Sequence, residues 1–396
     1  MAWTLMGRLA QAGAQAGLLV VVARLGSAQM VGDLALAMAL CSPIMVIAGL
    51  QLRVVYVTDL ERRFGWCSHV QLRRWASGLG VGLATLIAAG GMPVSAAAVF
   101  AVAASKAGEL RSDLHHAAFQ RRGAMRLYAR SVAVRSALGL VAAGSLLWAT
   151  ADLALGLLAL AAVSWVVPIA HDAPLSVGLR GPRQGAGTAT QLLWVAAPLG
   201  LVTFVDSLAQ HAVRLQVDAM LGTVALGHYA VMSYAVVAGG AVVFSLGTPL
   251  LPRLAEHHVA GRRRRFVATV LRLVGVSATL GVAGVAFALA FGRPFLRVVF
   301  GAAFESEAAV FPWVMAAGAL HFVLGALMHA VNAAQQRRAQ PWIYLTALGV
   351  TVLLGWQWIP GHGLRGAAWA SAAGWSVAVV VASGILVRAC MPRRRA

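Results

Sequence analysis

This chain has few charged residues and very few acidic ones. Only 11% of its 396 residues are charged, and 12 residues are Asp or Glu. A mean hydropathy of +0.79 and a hydrophobic content of 60% lie outside the range of soluble domains. The scarcity of polar sequence therefore excludes an ordinary soluble protein and indicates a membrane protein.

Sequence motifs for metal, disulfide or nucleotide chemistry are also missing. The three cysteines, Cys41, Cys67 and Cys390, are too widely spaced to suggest a zinc site or a disulfide framework. The sequence has no GxxxxGKS/T phosphate loop and no long polar segment that could house a catalytic domain. We therefore expect a protein that is not an enzyme and that uses no metal and no cofactor.

Apolar runs of about 17 to 25 residues recur along the whole chain, and each is long enough for a helix to cross the membrane. The first run carries Arg8 and lacks a persuasive cleavage site, so we expect a retained helix and not a signal peptide. The fold class is an all-α polytopic membrane protein. Hydropathy predicts twelve transmembrane helices, at 2–23, 31–52, 76–91, 94–114, 131–149, 152–170, 190–213, 225–249, 267–291, 308–331, 341–359 and 367–389.

Basic residues alternate in density between successive predicted loops. Arginine supplies every Lys or Arg position except Lys106, and most of these arginines fall in the even-numbered loops and the C-terminal tail. The positive-inside rule then predicts a bacterial inner-membrane protein with both termini in the cytoplasm. We expect the Arg262–Arg265 run to fix this topology and to contact anionic membrane lipids, so the net charge of +20 does not indicate nucleic-acid binding.

One short pattern occurs twice, about half a chain apart. Residues 23–40 and 219–236 each place a Leu-Gly pair between two apolar runs. This repetition predicts tight turns on the extracytoplasmic side and parallel repeats related by an axis along the membrane normal. Chance similarity between small residues is the alternative. The predicted domains are 1–177, a basic cytoplasmic linker at 178–189, and 190–396.

Several longer segments follow one another in a characteristic order. They are LRVVYVTD at 52–59, ELRSDLHHAAFQRRGAMRLYARS at 109–131, LGHYAVMSYAV at 226–236, GTPLLPRLAE at 247–256, FGRPFLRVVFGAAF at 291–304, AVNAAQQRRAQ at 330–340 and IPGHGLRGAAWA at 359–370. In these segments the chain resembles the Wzx-like oligosaccharide flippases of the multidrug/oligosaccharidyl-lipid/polysaccharide (MOP) exporter superfamily. The resemblance covers nearly the whole chain, although each motif is degenerate.

The resemblance implies two six-helix bundles around a central cavity that opens alternately to either side. It also implies that the chain flips a polyprenyl-pyrophosphate-linked oligosaccharide from the cytoplasmic to the periplasmic leaflet, with a polysaccharide polymerase as a candidate partner. Three alternatives stay open. They are cation-coupled multidrug export of the MATE kind, flipping of lipid II, and a non-transporting scaffold in a polysaccharide assembly complex.

Charged residues inside predicted spans or at their edges are expensive and therefore mark candidate sites. Arg8, Arg53, Arg111 and Arg214 are predicted to make the cavity basic and to bind the pyrophosphate, because the arginine fork matches phosphate oxygens. Snorkelling toward the interface is the alternative for Arg8.

Acidic and histidine side chains in the spans are candidates for ion coupling. Glu109, Asp206 and His211 are predicted to bind the coupling ion, because a carboxylic acid shielded from water can exchange protons near neutral pH. Glu109 shares one helical face with three other residues, Lys106, Asp113 and His116. The alternative for that face is a structural ladder of salt bridges. The alternative for Asp206 is one half of a structural ion pair.

Overall fold

A computed structural model describes residues 2–183, 185–247 and 250–390 of the protein, without the side chains of residues 2, 244–246 and 390. Within these ranges the chain is nearly all α-helix, and the one β-bridge joins Phe64 to Gly187. The prediction of an all-α fold is confirmed.

Twelve long helices account for most of the described residues. The last assigned helix, Gln340–Cys390, leaves helical geometry at Gly363 (φ 58°, ψ −137°), which divides it into α11 (340–362) and α12 (364–390). Each of the twelve overlaps one predicted span. The others are α1 (Ala2–Leu25), α2 (Ala28–Gly49), α3 (Trp66–Ala89), α4 (Ala96–Arg121), α5 (Met125–Thr150), α6 (Leu153–Val167), α7 (Ala189–Leu221), α8 (Thr223–Gly247), α9 (Arg263–Val299) and α10 (Phe311–Ala333).

Nine described segments are long and apolar enough to cross a membrane, and the last of them contains both α11 and α12. The two remaining helices, α3 and α4, have 24 and 26 residues, which is also sufficient length. Their hydropathy is lower because α3 carries two arginines and α4 carries the Lys106 to Asp113 charges. The chain is therefore a multi-pass membrane protein.

By its internal contacts the chain divides into two units, Met1–His211 and Ala212–Ala396. In the first unit, α4 packs against α2, α3 and α6, and α5 packs against α1 and α6. In the second unit, α10 packs against α8, α9 and the broken last helix. The boundary falls inside α7, whose Leu192 and Ala196 are buried in the core of the first unit. The predicted division at a linker over 178–189 stays a prediction.

The chain turns sharply after α2. Leu50 and Gln51 both have φ of 49°, the left-handed region that non-glycine residues rarely adopt, and a short helix, Leu52–Thr58, follows. The sequence predicted one continuous span to residue 52. The break ends α2 before that point and gives Arg53 a position on a separate short helix.

A buried cluster holds this short helix in place. Leu52 and Tyr56 are buried together with Trp66 of α3 and Leu192 of α7. The Tyr56 hydroxyl accepts a hydrogen bond of 2.8 Å from the backbone N–H of Gly181, so the segment between α6 and α7 also packs here. The short helix therefore has a fixed orientation.

The repeated Leu-Gly pair forms a tight turn in both places. The first copy separates α1, which ends at Leu25, from α2, which begins at Ala28. The second separates α7, which ends at Leu221, from α8, which begins at Thr223, and Gly222 has φ of 85°. The predicted helix–turn–helix geometry is confirmed in each unit, and the side of the membrane stays a prediction.

Candidate functional site

A polar cavity of about 500 Å³ lies within the first unit. Side chains from α1, α2, the short helix, α4, α5 and α7 line it, so it opens among helices and not in a loop. Three cationic side chains and three acidic ones share its wall with two histidines. These residues are Arg53, Lys106, Arg135, Glu109, Asp113, Asp206, His116 and His211.

Arg53 reaches the cavity from the short helix that follows the break after α2. Its Nε donates to Gln120 Oε1 at 2.9 Å and its Nη1 donates to Asp113 Oδ1 at 3.2 Å. Its guanidinium carbon lies 4.8 Å from the centre of the Tyr128 ring. Because three groups fix the guanidinium, Arg53 is a pre-organised cation on the cavity wall.

A second arginine lies behind Asp113. The Arg73 side chain is only 4% exposed, and its Nη1 donates to the carbonyl oxygen of Gly49 at 2.8 Å. Its Nη2 lies 3.9 Å from Asp113 Oδ2, so Asp113 is held between two arginines. The sequence predicted Arg73 in a loop, but α3 begins at Trp66 and includes it.

Glu109 and Arg135 face each other across α4 and α5. Arg135 Nη2 lies 4.0 Å from Glu109 Oε1. Both residues, together with Gln11 and Lys106, also line a narrower cavity of about 70 Å³ between the helices of the same unit. These four side chains therefore separate the larger cavity from the narrower one.

Lys106 and Asp206 differ from the other charged groups of the cavity. Among the described residues, Lys106 has no ion pair and no hydrogen bond, although it is the only lysine in the chain. Asp206 accepts a hydrogen bond of 2.9 Å from Gln210 but has no cation within ion-pair distance in the described part. One cation and one acid in this cavity are therefore available to a ligand.

The remaining predicted site residues lie elsewhere. Arg111 sits over the Trp165 ring at 5.8 Å, between α4 and α6, and does not line the cavity. Arg8 is exposed on α1 and interacts electrostatically with Arg53 and Tyr128 at the cavity. Arg214 belongs to the second unit, where it interacts with two tyrosines of α8, Tyr229 and Tyr234.

The structure therefore brings together Arg53, Glu109, Asp206 and His211 from the predicted set. It also places all four residues of the predicted polar face of α4 on the cavity wall. The described residues contain no group of three or more His, Cys, Asp or Glu that could hold a metal ion.

Asp172 is a buried acid that the sequence prediction did not single out. Its side chain is 0% exposed, and its Oδ2 lies 4.0 Å from Nε2 of His116, which lines the cavity. The available signal was the His171-Asp172 pair that follows Pro168 at the end of an apolar run. That signal was weak because the predicted span ended at residue 170.

Helices of membrane-spanning length enclose a charged cavity in the first unit, and the chain is a multi-pass membrane protein. The sequence matches no protein-family model and no curated protein. Solved structures of MOP superfamily transporters share the fold across almost the whole chain.

Three of these solved structures illustrate the range. The chain is similar to the Vibrio cholerae MATE transporter VcmN, with a TM-score of 0.68, 14% identity, and coverage of 98% of this chain and 94% of the other. It is similar to the lipid II flippase MurJ, with a TM-score of 0.71, 10% identity, and coverage of 98% and 88%. A Pyrococcus furiosus MOP superfamily transporter, described by the reversed polarity of its binding pocket, has a TM-score of 0.63, 12% identity, and coverage of 98% and 94%.

Proposed function

We propose that this protein is a MOP-type transporter that flips a polyprenyl-pyrophosphate-linked oligosaccharide from the cytoplasmic to the periplasmic leaflet of the bacterial inner membrane. Its product would supply cell-surface polysaccharide synthesis, with a polysaccharide polymerase as the partner that consumes it. The shared fold with MATE transporters and with MurJ supports transport rather than catalysis.

The ammonium group of Lys106 is the observation that best supports an anionic substrate. Acids compensate the other cations on the wall, since Arg53 pairs with Asp113 and Arg135 lies beside Glu109. Lys106 has no such partner among the described residues. A cation on a water-accessible wall without a protein counter-ion is ready to bind an anionic group.

Positive charge around the cavity also exceeds negative charge. Arg8 and Arg73 add to the three cations of the wall, whereas the described residues supply only three acids there. The neighbouring Tyr128 hydroxyl, Gln11 and Gln210 add neutral hydrogen-bonding groups. This combination suits a pyrophosphate together with the hydroxyl groups of a sugar.

A second candidate function is favoured by Asp206. This acid lines the same cavity and has no cationic partner in the described part of the chain. Exporters of organic cations need an acid that can pair with the substrate, so the same cavity also fits cation-coupled drug export. The two functions depend on different side chains, Lys106 and Asp206, so substitutions can distinguish them.

The test measures flipping of a fluorescent polyprenyl-pyrophosphate-linked sugar in vesicles that contain the purified protein. Lys106→Ala is expected to lower the rate about 10- to 100-fold, since a hydrogen bond to a charged group contributes about 1.5–3 kcal/mol. Lys106→Arg should retain much of the rate because it retains the charge. Arg111→Ala is the matched control on the same helix, since Arg111 lies outside the cavity.

Flipping that is unchanged in Lys106→Ala would contradict the proposal. Transport of an organic cation that disappears in Asp206→Asn, with no flipping of the lipid-linked sugar by the parent protein, would instead establish the export function. Equal losses in Lys106→Ala and Arg111→Ala would indicate a general defect of α4 and not a binding role.

A further inference from the structure

A larger cavity, of about 1180 Å³, lies along the exposed face of α3. It is lined by α3 residues between positions 66 and 86 and by Arg180 and Arg183 of the segment between α6 and α7, so its described wall belongs entirely to the first unit. It shares no described lining residue with the polar cavity. We call this cavity the α3 groove, and it is separate from the candidate transport site.

The middle of the α3 groove is apolar and has a depression where two side chains are missing. Leu79, Leu83 and Leu86 line it and are 72%, 51% and 71% exposed. Gly78 and Gly82 lie one turn apart beside them, and nothing lies within 4 Å of a Cβ atom placed at either glycine. Exposed leucines on a membrane helix are typical of contact with lipid. The two glycines bring the helix backbone within reach of an acyl chain.

Three arginines line the groove toward the start of α3. They are Arg74 of α3 together with Arg180 and Arg183, and the described lining residues include no acid. Arg74 and Arg183 are exposed, and their side chains have no hydrogen bond or ion pair in the described part of the chain. The groove therefore combines an apolar depression with a cationic end that the protein itself does not neutralise.

Backbone hydrogen bonds hold the segment that carries Arg180 and Arg183 against α3. The N–H groups of Trp66 and Cys67, at the start of α3, have no partner within the helix. They donate to the carbonyl oxygens of Pro182 and Arg183 at 3.0 and 3.1 Å. The position of this segment beside the groove is therefore fixed by the fold.

The Arg180 side chain is oriented by its own contacts. Its Nη2 donates to the carbonyl oxygen of Ala173 at 2.7 Å and to Ser176 Oγ at 2.9 Å. Its guanidinium carbon lies 4.9 Å from the centre of the Trp66 ring. Its Nη1 has no hydrogen-bond partner among the described residues. A guanidinium group that is fixed on one side keeps donors on the other side for phosphate oxygens.

We propose that the α3 groove binds an anionic phospholipid of the surrounding bilayer. The phosphate group binds among Arg74, Arg180 and Arg183, and an acyl chain lies along α3 over Gly78 and Gly82. Basic pockets beside membrane helices on the cytoplasmic side bind anionic headgroups, and the positive-inside rule predicts that side for all three arginines.

A resident membrane lipid fits the groove better than the transported substrate does. The substrate must reach the polar cavity, whose described lining residues are all different from those of the groove. Trp75 follows Arg74 and is 69% exposed, which is typical of a tryptophan at the level of lipid headgroups. A lipid that binds the folded protein also stabilises it, because it contacts α3 and the segment after α6 together.

The test uses Cys67, an exposed thiol that lines the groove. A Cys41→Ser/Cys390→Ser background leaves Cys67 as the single cysteine. An uncharged maleimide should modify Cys67 about tenfold more slowly in phosphatidylglycerol nanodiscs than in phosphatidylcholine nanodiscs, because protection follows occupancy of the groove. The assay measures no transport, so its outcome is independent of the proposed flipping activity.

A second thiol controls for the charge of the membrane surface. Arg122→Cys, in a background without the three native cysteines, places a thiol at an exposed position at the end of α4, outside the groove and on the same predicted side. Its modification should be equally fast in both lipids. Equal slowing at Arg122→Cys and at Cys67 would overturn the proposal, since it would show a general surface effect.

Substitution of the arginines tests the headgroup site. Arg74→Ala/Arg183→Ala is expected to weaken phosphatidylglycerol binding about 25-fold, because each arginine near an anionic lipid contributes about fivefold. Arg122→Ala/Arg130→Ala is the matched control, since it removes the same charge from two exposed positions outside the groove. Native mass spectrometry of the full chain measures the retained lipid. Equal losses in the two double variants would contradict the site.

Filling the depression tests the acyl-chain site without a change of charge. Gly82→Leu should reduce retention of phosphatidylglycerol, whereas Gly275→Leu, at an equally open position on α9, should leave it unchanged. Unchanged retention in Gly82→Leu would contradict the proposed acyl-chain position.

Two further additions to phosphatidylcholine nanodiscs distinguish the occupant. Inorganic phosphate that protects Cys67 as well as phosphatidylglycerol does would overturn the assignment to a lipid. Protection by the polyprenyl-pyrophosphate-linked sugar, with none by phosphatidylglycerol, would assign the groove to the substrate and would also overturn the proposal.

Discussion

Two adjacent arginines show how strongly the environment of a residue decides its role. Arg73 is buried and donates to the last carbonyl group of α2, whereas Arg74 is exposed and its side chain has no hydrogen bond or ion pair in the described part of the chain. Two nitrogens of Arg73, Nε and Nη2, have no hydrogen-bond partner among the described residues. The sequence Arg-Arg does not reveal this difference.

Replacement of Arg73 by leucine is expected to destabilise the protein, while Arg74→Leu is expected to have little effect. The first change leaves the Gly49 carbonyl group without a donor and removes one of the two cations beside Asp113. The loss should be about 2 kcal/mol, the usual size for a buried hydrogen bond to a charged group. Thermal unfolding of both variants in detergent measures it, and equal melting temperatures would contradict a structural role for Arg73.

The acids of the cavity also differ from one another by environment. Asp113 and Glu109 both face arginines, and the coupling role of Glu109 stays a prediction. Asp206 has only an amide neighbour within hydrogen-bond distance. Removing Asp206 should therefore change ligand selectivity more than stability.

At the scale of helices, α4 and α6 approach each other closely at Gly108. A Cβ atom on Gly108 would overlap the backbone carbonyl group of Ser164. One turn away, the hydroxyl groups of Ser105 and Ser164 lie 3.0 Å apart. Small residues and hydroxyl groups of this kind stabilise helix pairs in membranes, where apolar burial gives little driving force.

Gly108→Ala is therefore expected to lower stability by about 1–3 kcal/mol, because the added methyl group must push the two helices apart. Gly78→Ala is the control, since nothing lies within 4 Å of a Cβ at that position on α3. The melting temperature of each variant in detergent checks the expectation. If Gly108→Ala has the same melting temperature as the parent protein, the helix pair tolerates separation.

The break after α2 is the element that places Arg53 in the cavity. Two consecutive non-glycine residues in left-handed conformation cost about 1–3 kcal/mol each, which the buried cluster around Leu52 and Tyr56 must offset. Apolar residues continue through Leu50 and Leu52. Hydropathy therefore predicted a continuous span, because it does not detect a change of direction within an apolar run.

At the scale of the whole chain, the arginine distribution makes a topology prediction that the fold does not test. A reporter that is active only in the periplasm should give signal when fused after Gly90–Ser95, Gly222–Leu226 or Glu305. Fusions after Arg122, Gly185, Arg263 or the C-terminus should be silent. Reporter activity after Arg263 would indicate that the predicted orientation is reversed, because successive loops lie on alternate sides of the membrane.

The helices were the most predictable part of the molecule. All twelve predicted spans overlap long helices, because a membrane requires about 20 consecutive apolar residues and few other structures need them. Boundaries were less predictable, and α3 begins at Trp66 although its span was predicted from residue 76. Charged residues at a helix end lower the hydropathy without ending the helix.

The site was predictable only in part. The polar face of α4 was visible in the sequence because its charges repeat at helical spacing, and its residues line the cavity. Arg111 lies on the same helix but contacts Trp165 on α6. The direction of the Arg111 side chain depends on which helix packs against that side of α4. Helical spacing alone does not specify that helix.

The sequence by itself determined the class of protein, the number of long helices and the tight Leu-Gly turns, because hydropathy, helix length and glycine geometry act locally along the chain. The tertiary structure decided which charges are compensated. Asp113 meets Arg73, Lys106 meets no acid in the described residues, and Asp172 turns inward at a π-helical turn. Ion pairing depends on distances of a few ångströms between helices, and those distances exist only after the helices have packed.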